Sequence, residues 1–143
     1  MKVKQISIFL ENRKGRLHEA LSVLQNAKVN IRALSIADTS EFGILRMIVS
    51  EPDVARKVLK KADFVVQETD VIAICVSDQP GGLATALSAL NAADINVEYL
   101  YAFVQKAGKN AVVVIRTEKL EPAIKILSGA GVKILKSDEV YVL

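Results

Sequence analysis

The chain is short of the residues that usually carry chemistry. Its 143 residues include one cysteine, Cys75, and one histidine, His18. A single thiol cannot close an internal disulfide, and a single imidazole cannot build a histidine-rich metal cluster. No nucleophile stands beside a base in a recognisable spacing, and no Walker-type phosphate loop occurs. The expectation is therefore a chain that is not an enzyme and takes no cofactor and no metal. No run approaches the roughly eighteen uninterrupted apolar residues of a membrane span. Met1-Lys2-Val3-Lys4 enters a strand with no signal-peptide pattern, so the reading is cytoplasmic with no membrane partner. Nineteen bases are offset by sixteen acids, leaving +3, a balance that gives little support to nucleic acid as a partner.

What is present is apolar and repetitive. Hydrophobic residues make up 51% of the chain, enough to pack one ordinary domain or two small ones. Displacing the sequence by 66 positions matches Ile6, Ile8, Gly15, Leu17, Ala20, Leu21, Leu24 and Asn30 with identical residues at Ile72, Ile74, Gly81, Leu83, Ala86, Leu87, Leu90 and Asn96. Later the displacement becomes 68, where Ala55, Leu59 and Ala62 meet Ala123, Leu127 and Ala130, so the second copy has two extra residues near its third strand. Two units are expected, 1–70 and 71–143. Within the first, the hydrophobic period reads strand (about 4–11), helix (16–27), strand (30–38), strand (43–50), helix (52–62) and strand (64–69). The second repeats this β-α-β-β-α-β order from Val71. Apolar stripes such as Leu17/Ala20/Leu21/Leu24 and Leu120/Ala123/Ile124/Leu127 lay each helix on one face of an antiparallel sheet. No flexible linker separates the copies at Phe64-Val65-Val66-Gln67-Glu68-Thr69-Asp70-Val71-Ile72. The tail Glu139-Val140-Tyr141-Val142-Leu143 reads as an extra strand or as the far end of a long final one.

Third strands Ile44–Val49 and Ala111–Ile115 are apolar on both faces, and Tyr99, Tyr101 and Phe103 share one face by period two. The second face must be covered, either by the two units stacking sheet to sheet or joining edge to edge, or by a second chain doing the same, and a homodimer is the preferred arrangement. The third strands also contain no aromatic, against an RNA-recognition module of the same element order, which stacks bases there. Cys75, mid-strand between Ile74 and Val76, reads as a packed small residue. His18 lies one step off its helix stripe and reads as a surface residue. Arg56, Lys57, Lys60 and Lys61 read as a solvated helix face.

The candidate site is where first strand meets first helix. Gly15 and Gly81 occupy equivalent places in Asn12-Arg13-Lys14-Gly15-Arg16-Leu17 and Asp78-Gln79-Pro80-Gly81-Gly82-Leu83. A helix N-terminus offers unpaired N–H groups and partial positive charge, and glycine lets a ligand approach the backbone. A carboxylate suits that end, and Asn12 or Asp78 offers an acceptor to an ammonium group on the same ligand. Those two groups are what a free α-amino acid presents. Arg13, Lys14 and Arg16 either face solvent or neutralise the anion. Asn30 and Asn96, in Val29-Asn30-Ile31 and Ile95-Asn96-Val97, are either turn amides or further contacts.

Together "ENRKGRL" with "KVNIRAL", and "SDQPGGL" with "DINVEYL", resemble the ACT domain family over essentially the whole chain, as a tandem pair. The resemblance implies a ferredoxin-like α+β fold repeated twice, with amino acids or similar small metabolites bound at an interface between units to regulate an enzyme or a gene. Similarity to the serine-binding ACT domains of phosphoglycerate dehydrogenase implies ligand contacts at Asn12, Asn30 and Ile31, with Asp78, Asn96 and Val97 as their equivalents. Leu10 and Val76 stand where that loop has a histidine, Lys14 replaces its proline, and Asp78 its asparagine. The expected role is an amino-acid-binding regulatory protein. The alternative is a non-catalytic interaction subunit of an enzyme of amino-acid metabolism, its pocket vestigial.

Overall fold

The computed structural model describes residues 1–38, 41–103 and 109–143. β1 (Val3–Glu11), α1 (Arg16–Asn26), β2 (Ile31–Asp38), β3 (Phe42–Val49) and α2 (Pro52–Lys61) lead into β4 (Val65–Ser77). They are followed by α3 (Gly82–Ala92), β5 (Tyr99–Ala102), β6 (Asn110–Arg116), α4 (Leu120–Gly129), β7 (Lys133–Ile134) and α5 (Ser137–Tyr141). This is an α+β chain in which β-α-β-β-α-β occurs twice. The two residues added before the second copy's third strand lie outside the described residues. Contacts divide the chain into one unit of Lys4–Thr69 with Val142 and another of Asp70–Tyr141 with Met1–Val3 and Leu143. The boundary falls inside β4, a 13-residue strand that ends the first copy and begins the second. From Phe64 to Ser77 no glycine or proline interrupts a stretch rich in β-branched residues, so extended backbone continues where a linker was also possible.

In the first unit β3 pairs antiparallel with both β1 and β2, with Ile8 opposite Leu45 and Leu34 opposite Met47. Ile6, Ile8 and Leu10 alternate inward with Leu45, Met47 and Val49, and α1 and α2 bury Ala20, Leu24, Ala55 and Leu59 on that face. The second unit repeats the plan in the order β7-β4-β6-β5, with Ile74 opposite Val113 and Tyr101 opposite Val114. Its core gathers Ile72, Ile74, Leu90, Ile115 and Leu127. Each of the four long helices ends the same way. Lys28, Asp63, Asp94 and Gly131 take positive φ. The next amide then donates back to Leu24, Leu59, Leu90 or Leu127 at 3.0 Å, the left-handed termination that satisfies end carbonyls.

Residues on the faces away from the helices are also buried within the single chain: Ala33 and Ile48 in the first unit, and Ala73, Val112, Val114 and Tyr101 in the second. Four expectations need correcting. β3 begins at Phe42, so the third strand of the first unit does carry an aromatic residue. The tail is a helix, because Glu139 turns its carboxylate back to accept the Lys136 N–H at 2.8 Å while the Val140 N–H donates to the Lys136 carbonyl. This capping arrangement outweighs the strand preference of Val140-Tyr141-Val142. Arg56 is half-buried, its Nε 2.9 Å from Glu68, and so leaves the solvated face assigned to its neighbours. Asn96 and Val97 precede β5 by two residues or more and do not open the strand as Ile31 opens β2.

Candidate functional site

The two loops share most of their backbone framework. Gly15 and Gly81 take φ of 87° and 84°, a left-handed conformation costly to any residue with a Cβ. The Asn12 N–H donates to the Glu41 carbonyl at 2.9 Å, and the Asp78 N–H to the Lys109 carbonyl at 3.1 Å, tying each loop to the entrance of its unit's third strand. The Arg16 N–H reaches the Arg13 carbonyl as Gly82 reaches Gln79, and Glu19 closes on Gly15 as Thr85 closes on Gly81. The shared glycine, placed between a strand end and a helix start, dictates this common backbone.

Side chains set the loops apart. In the first, Arg13 Nε donates to Glu11 Oε2 at 2.8 Å, and Arg16 Nη1 to Glu19 Oε2 at 2.6 Å. Two of the loop's three cations are thus matched by acids of the same segment, which accounts for its polarity. Lys14 is exposed. In the second loop no cation occurs between Asp78 and Leu83. Leu83 packs against the core of its unit, whereas Leu17 remains 37% exposed.

Each loop borders a hollow, on opposite flanks. A hollow of about 180 Å³ lies between Asn12, Arg13 and Leu17 of the first loop and Ile36, Asp38 and Gly43 of β2 and β3. A larger one, about 370 Å³, lies beside the second loop, lined by Gln79, Pro80, Gly81 and Gly82 together with Ser77, Thr85 and the Ala130–Val132 turn. Ile36, Asp38, Gly43, Ser77, Thr85 and Val132 were not among the candidates. They lie remote in sequence from the loops or, as Ser77 and Thr85, carry no individual signal.

The asparagines lie elsewhere. The Asn30 N–H donates to Ser50 Oγ and Asn30 Oδ1 accepts the Ile31 N–H, both at 2.9 Å. Asn30 is thus a turn amide bonded to the chain around it. Asn12 is tied to the residue before β3 and Asn30 to the residue after it, so the eight residues of β3 hold them about 25 Å apart. Neither unit by itself brings Asn30 and Ile31 to loop 12–17. Asn96, likewise beyond the far end of α3, borders small hollows of about 190 and 180 Å³ beside Asp94. Cys75 is half-buried and its thiol is pushed up by desolvation, with Lys133 opposing. His18 is exposed. Among the described residues no group of three His, Cys, Asp or Glu is placed to hold a metal, and no helix is long and apolar enough to cross a membrane.

Residues 1–141 match the ACT domain pair family. The crystal structure of protein BT0572 from Bacteroides thetaiotaomicron is 43% identical, covers 100% of this chain and 98% of its own, and superposes with a TM-score of 0.94. The ligand-free regulatory subunit of aspartate kinase from Thermus thermophilus shares the fold at 14% identity, covering 89% of this chain and 91% of its own, TM-score 0.61. The aspartate kinase of Clostridium acetobutylicum, at 16% identity and TM-score 0.53, covers 90% of this chain and 32% of its own length. No curated protein matches. Because the match runs over nearly the whole length and the β-α-β-β-α-β unit occurs twice, the chain belongs to the ACT domain pair family.

Proposed function

We propose that the chain is a cytoplasmic, non-catalytic regulatory protein that binds a free amino acid, or a metabolite of the same kind, at its strand-to-helix loops. The observation that supports this reading best is the pair of left-handed glycine turns, Gly15 and Gly81, each opening a helix beside a hollow. The ligand's carboxylate meets the helix N–H groups. Contacts at Asn30–Ile31 or Asn96–Val97 come from another unit, since β3 in the first unit and β6 in the second keep the two ends of one unit apart. A homodimer supplies such a unit, and Leu17, Leu34, Ile36 and Phe42 leave apolar surface exposed in the first unit for it to cover. Occupancy then shifts the balance between packing arrangements. The test is thermal unfolding against each of the twenty amino acids at millimolar concentration. A ligand preferring the folded state raises the midpoint, and twenty unchanged midpoints contradict the proposal. The same apolar surface favours a second reading, an interaction subunit docked on an enzyme of amino-acid metabolism. Stable co-purification with such an enzyme, without any small-molecule response, selects it.

A further inference from the structure

The two loops share a backbone, but their flanks have diverged together. In the first unit Arg16 is the hub of a packed cluster. Its Nη1 bonds Glu19 at 2.6 Å, its Nε stands 3.8 Å from Glu11, and its guanidinium lies 4.2 Å from the ring centroid of Phe64. The Arg16 side chain is only 17% exposed and Phe64 is buried. At the equivalent positions the second unit has Ser77 for Glu11, Gly82 for Arg16, Thr85 for Glu19 and Val132 for Phe64. All four replacements are smaller, and all three charges are gone. All four line the hollow of about 370 Å³, within the usual range for small-molecule sites of about 300–1,000 Å³. The hollow stands where the first unit keeps its arginine on phenylalanine. At Gly82 a Cβ would run into the Ser77 carbonyl oxygen, so the strand end and helix start that frame it approach this closely only with glycine.

The wall dictates what enters. It offers the Gln79 amide, the Ser77 hydroxyl and, as an acceptor, the Thr85 hydroxyl, whose proton goes to the Gly81 carbonyl at 2.9 Å, beside the apolar surface of Ala130 and Val132, and no charged side chain lines it. Much of the wall is open to solvent, so a charged group keeps part of its hydration but finds no opposite charge on the wall, whereas a neutral one packs on Ala130 and Val132. We propose that this notch receives the uncharged side chain of the amino acid whose carboxylate meets the Gly81 loop. Arg16 and Phe64 shut the matching notch of the first unit, leaving one such site per chain. This rests on the amino-acid reading above and adds to it the class of side chain and the unit that holds it.

The test is titration of the ¹⁵N-labelled full-length chain with each of the twenty amino acids, followed by amide resonances. The expected result is that uncharged amino acids move the amides of Gly81, Gly82, Thr85 and Gly131 and leave Gly15 and Arg16 in place. Aspartate, glutamate, lysine and arginine should bind at least about tenfold more weakly. Val132→Phe, which restores the first unit's residue, should weaken binding by a similar factor. If that variant loses amide dispersion and so fails to fold, Thr85→Gln narrows the same notch from an exposed position and should do the same. Charged amino acids binding as tightly as neutral ones, shifts centred on Gly15 and Arg16, or undiminished affinity in the folded variant overturns the notch and leaves the amino-acid reading standing. No shift from any of the twenty overturns both.

Discussion

The first and second units answer one structural problem, the flank of a glycine turn, in opposite ways. The first fills it with a charged network anchored on a buried ring; the second removes the ring, the arginine and both acids and leaves a neutral hollow. Backbone geometry survived duplication because a left-handed glycine and the bonds around it allow little else. Side-chain content was free to diverge. Equivalence of backbone is therefore a poor guide to equivalence of sites, and the contrast can be broken or sharpened by substitution.

The largest expected effect is at the ring. Phe64→Ala removes a buried side chain from the first core and is expected to cost about 3–5 kcal/mol, whereas Val132→Ala, at a half-buried position, should cost about 1 kcal/mol or less. Denaturant unfolding of both variants measures the gap, and equal losses would erase the contrast. Next is Gly82→Ala. The methyl must displace the Ser77 carbonyl, so a loss of about 1–3 kcal/mol is expected, although the equivalent position in the first unit carries arginine.

Gly15→Ala and Gly81→Ala test the shared part. Both residues hold positive φ with open space where a Cβ would go, so each substitution should cost about 1–2 kcal/mol through backbone strain alone, and by similar amounts. A large difference between them would mean that the loops are less alike than their hydrogen bonds imply. The Arg16–Phe64 stack should contribute a coupling of about 0.5–1 kcal/mol, read from a double-mutant cycle of Arg16→Ala and Phe64→Leu.

The smallest effect concerns the ion pair of Lys2 with Glu121, 2.8 Å apart on the surface of the second unit. Hydrogen bonding and charge from Glu121 raise the Lys2 ammonium above its usual range, and Lys2 lowers the Glu121 carboxyl below its own. The carboxylate's share of the stability is present above its unfolded value and fades as pH falls through the lowered folded value. The ammonium's share is present below its unfolded value and fades as pH rises through the raised one. Lys2→Met should flatten both edges of the stability–pH curve in dilute buffer and change little in high salt.

Much of the fold could be read along the chain because repetition makes each weak signal count twice. Ile6/Ile8 against Ile72/Ile74 placed the core strands, Leu24 and Leu90 the helix faces, and Gly15 and Gly81 the turns. The tail misled because Val140-Tyr141-Val142 favours a strand when read locally, whereas the bond from Lys136 to Glu139 that starts the helix depends on backbone geometry. Glu11 and Glu19 around Arg16 follow from local spacing once a strand end and a helix start are placed, yet Phe64, 48 positions away from Arg16, arrives only through tertiary packing. The hollow of the second unit was also present in the sequence, as four coordinated reductions in size. It becomes visible only when the residues that meet around Arg16 are known.

Isothermal titration calorimetry of the chain, with the uncharged amino acid giving the largest thermal shift, counts the sites that a single chain holds. Saturable heat with one ligand per chain is expected, reduced by Val132→Phe and unaffected by Lys2→Met. Two equivalents of equal affinity per chain, or no heat at all, would contradict a single site per chain.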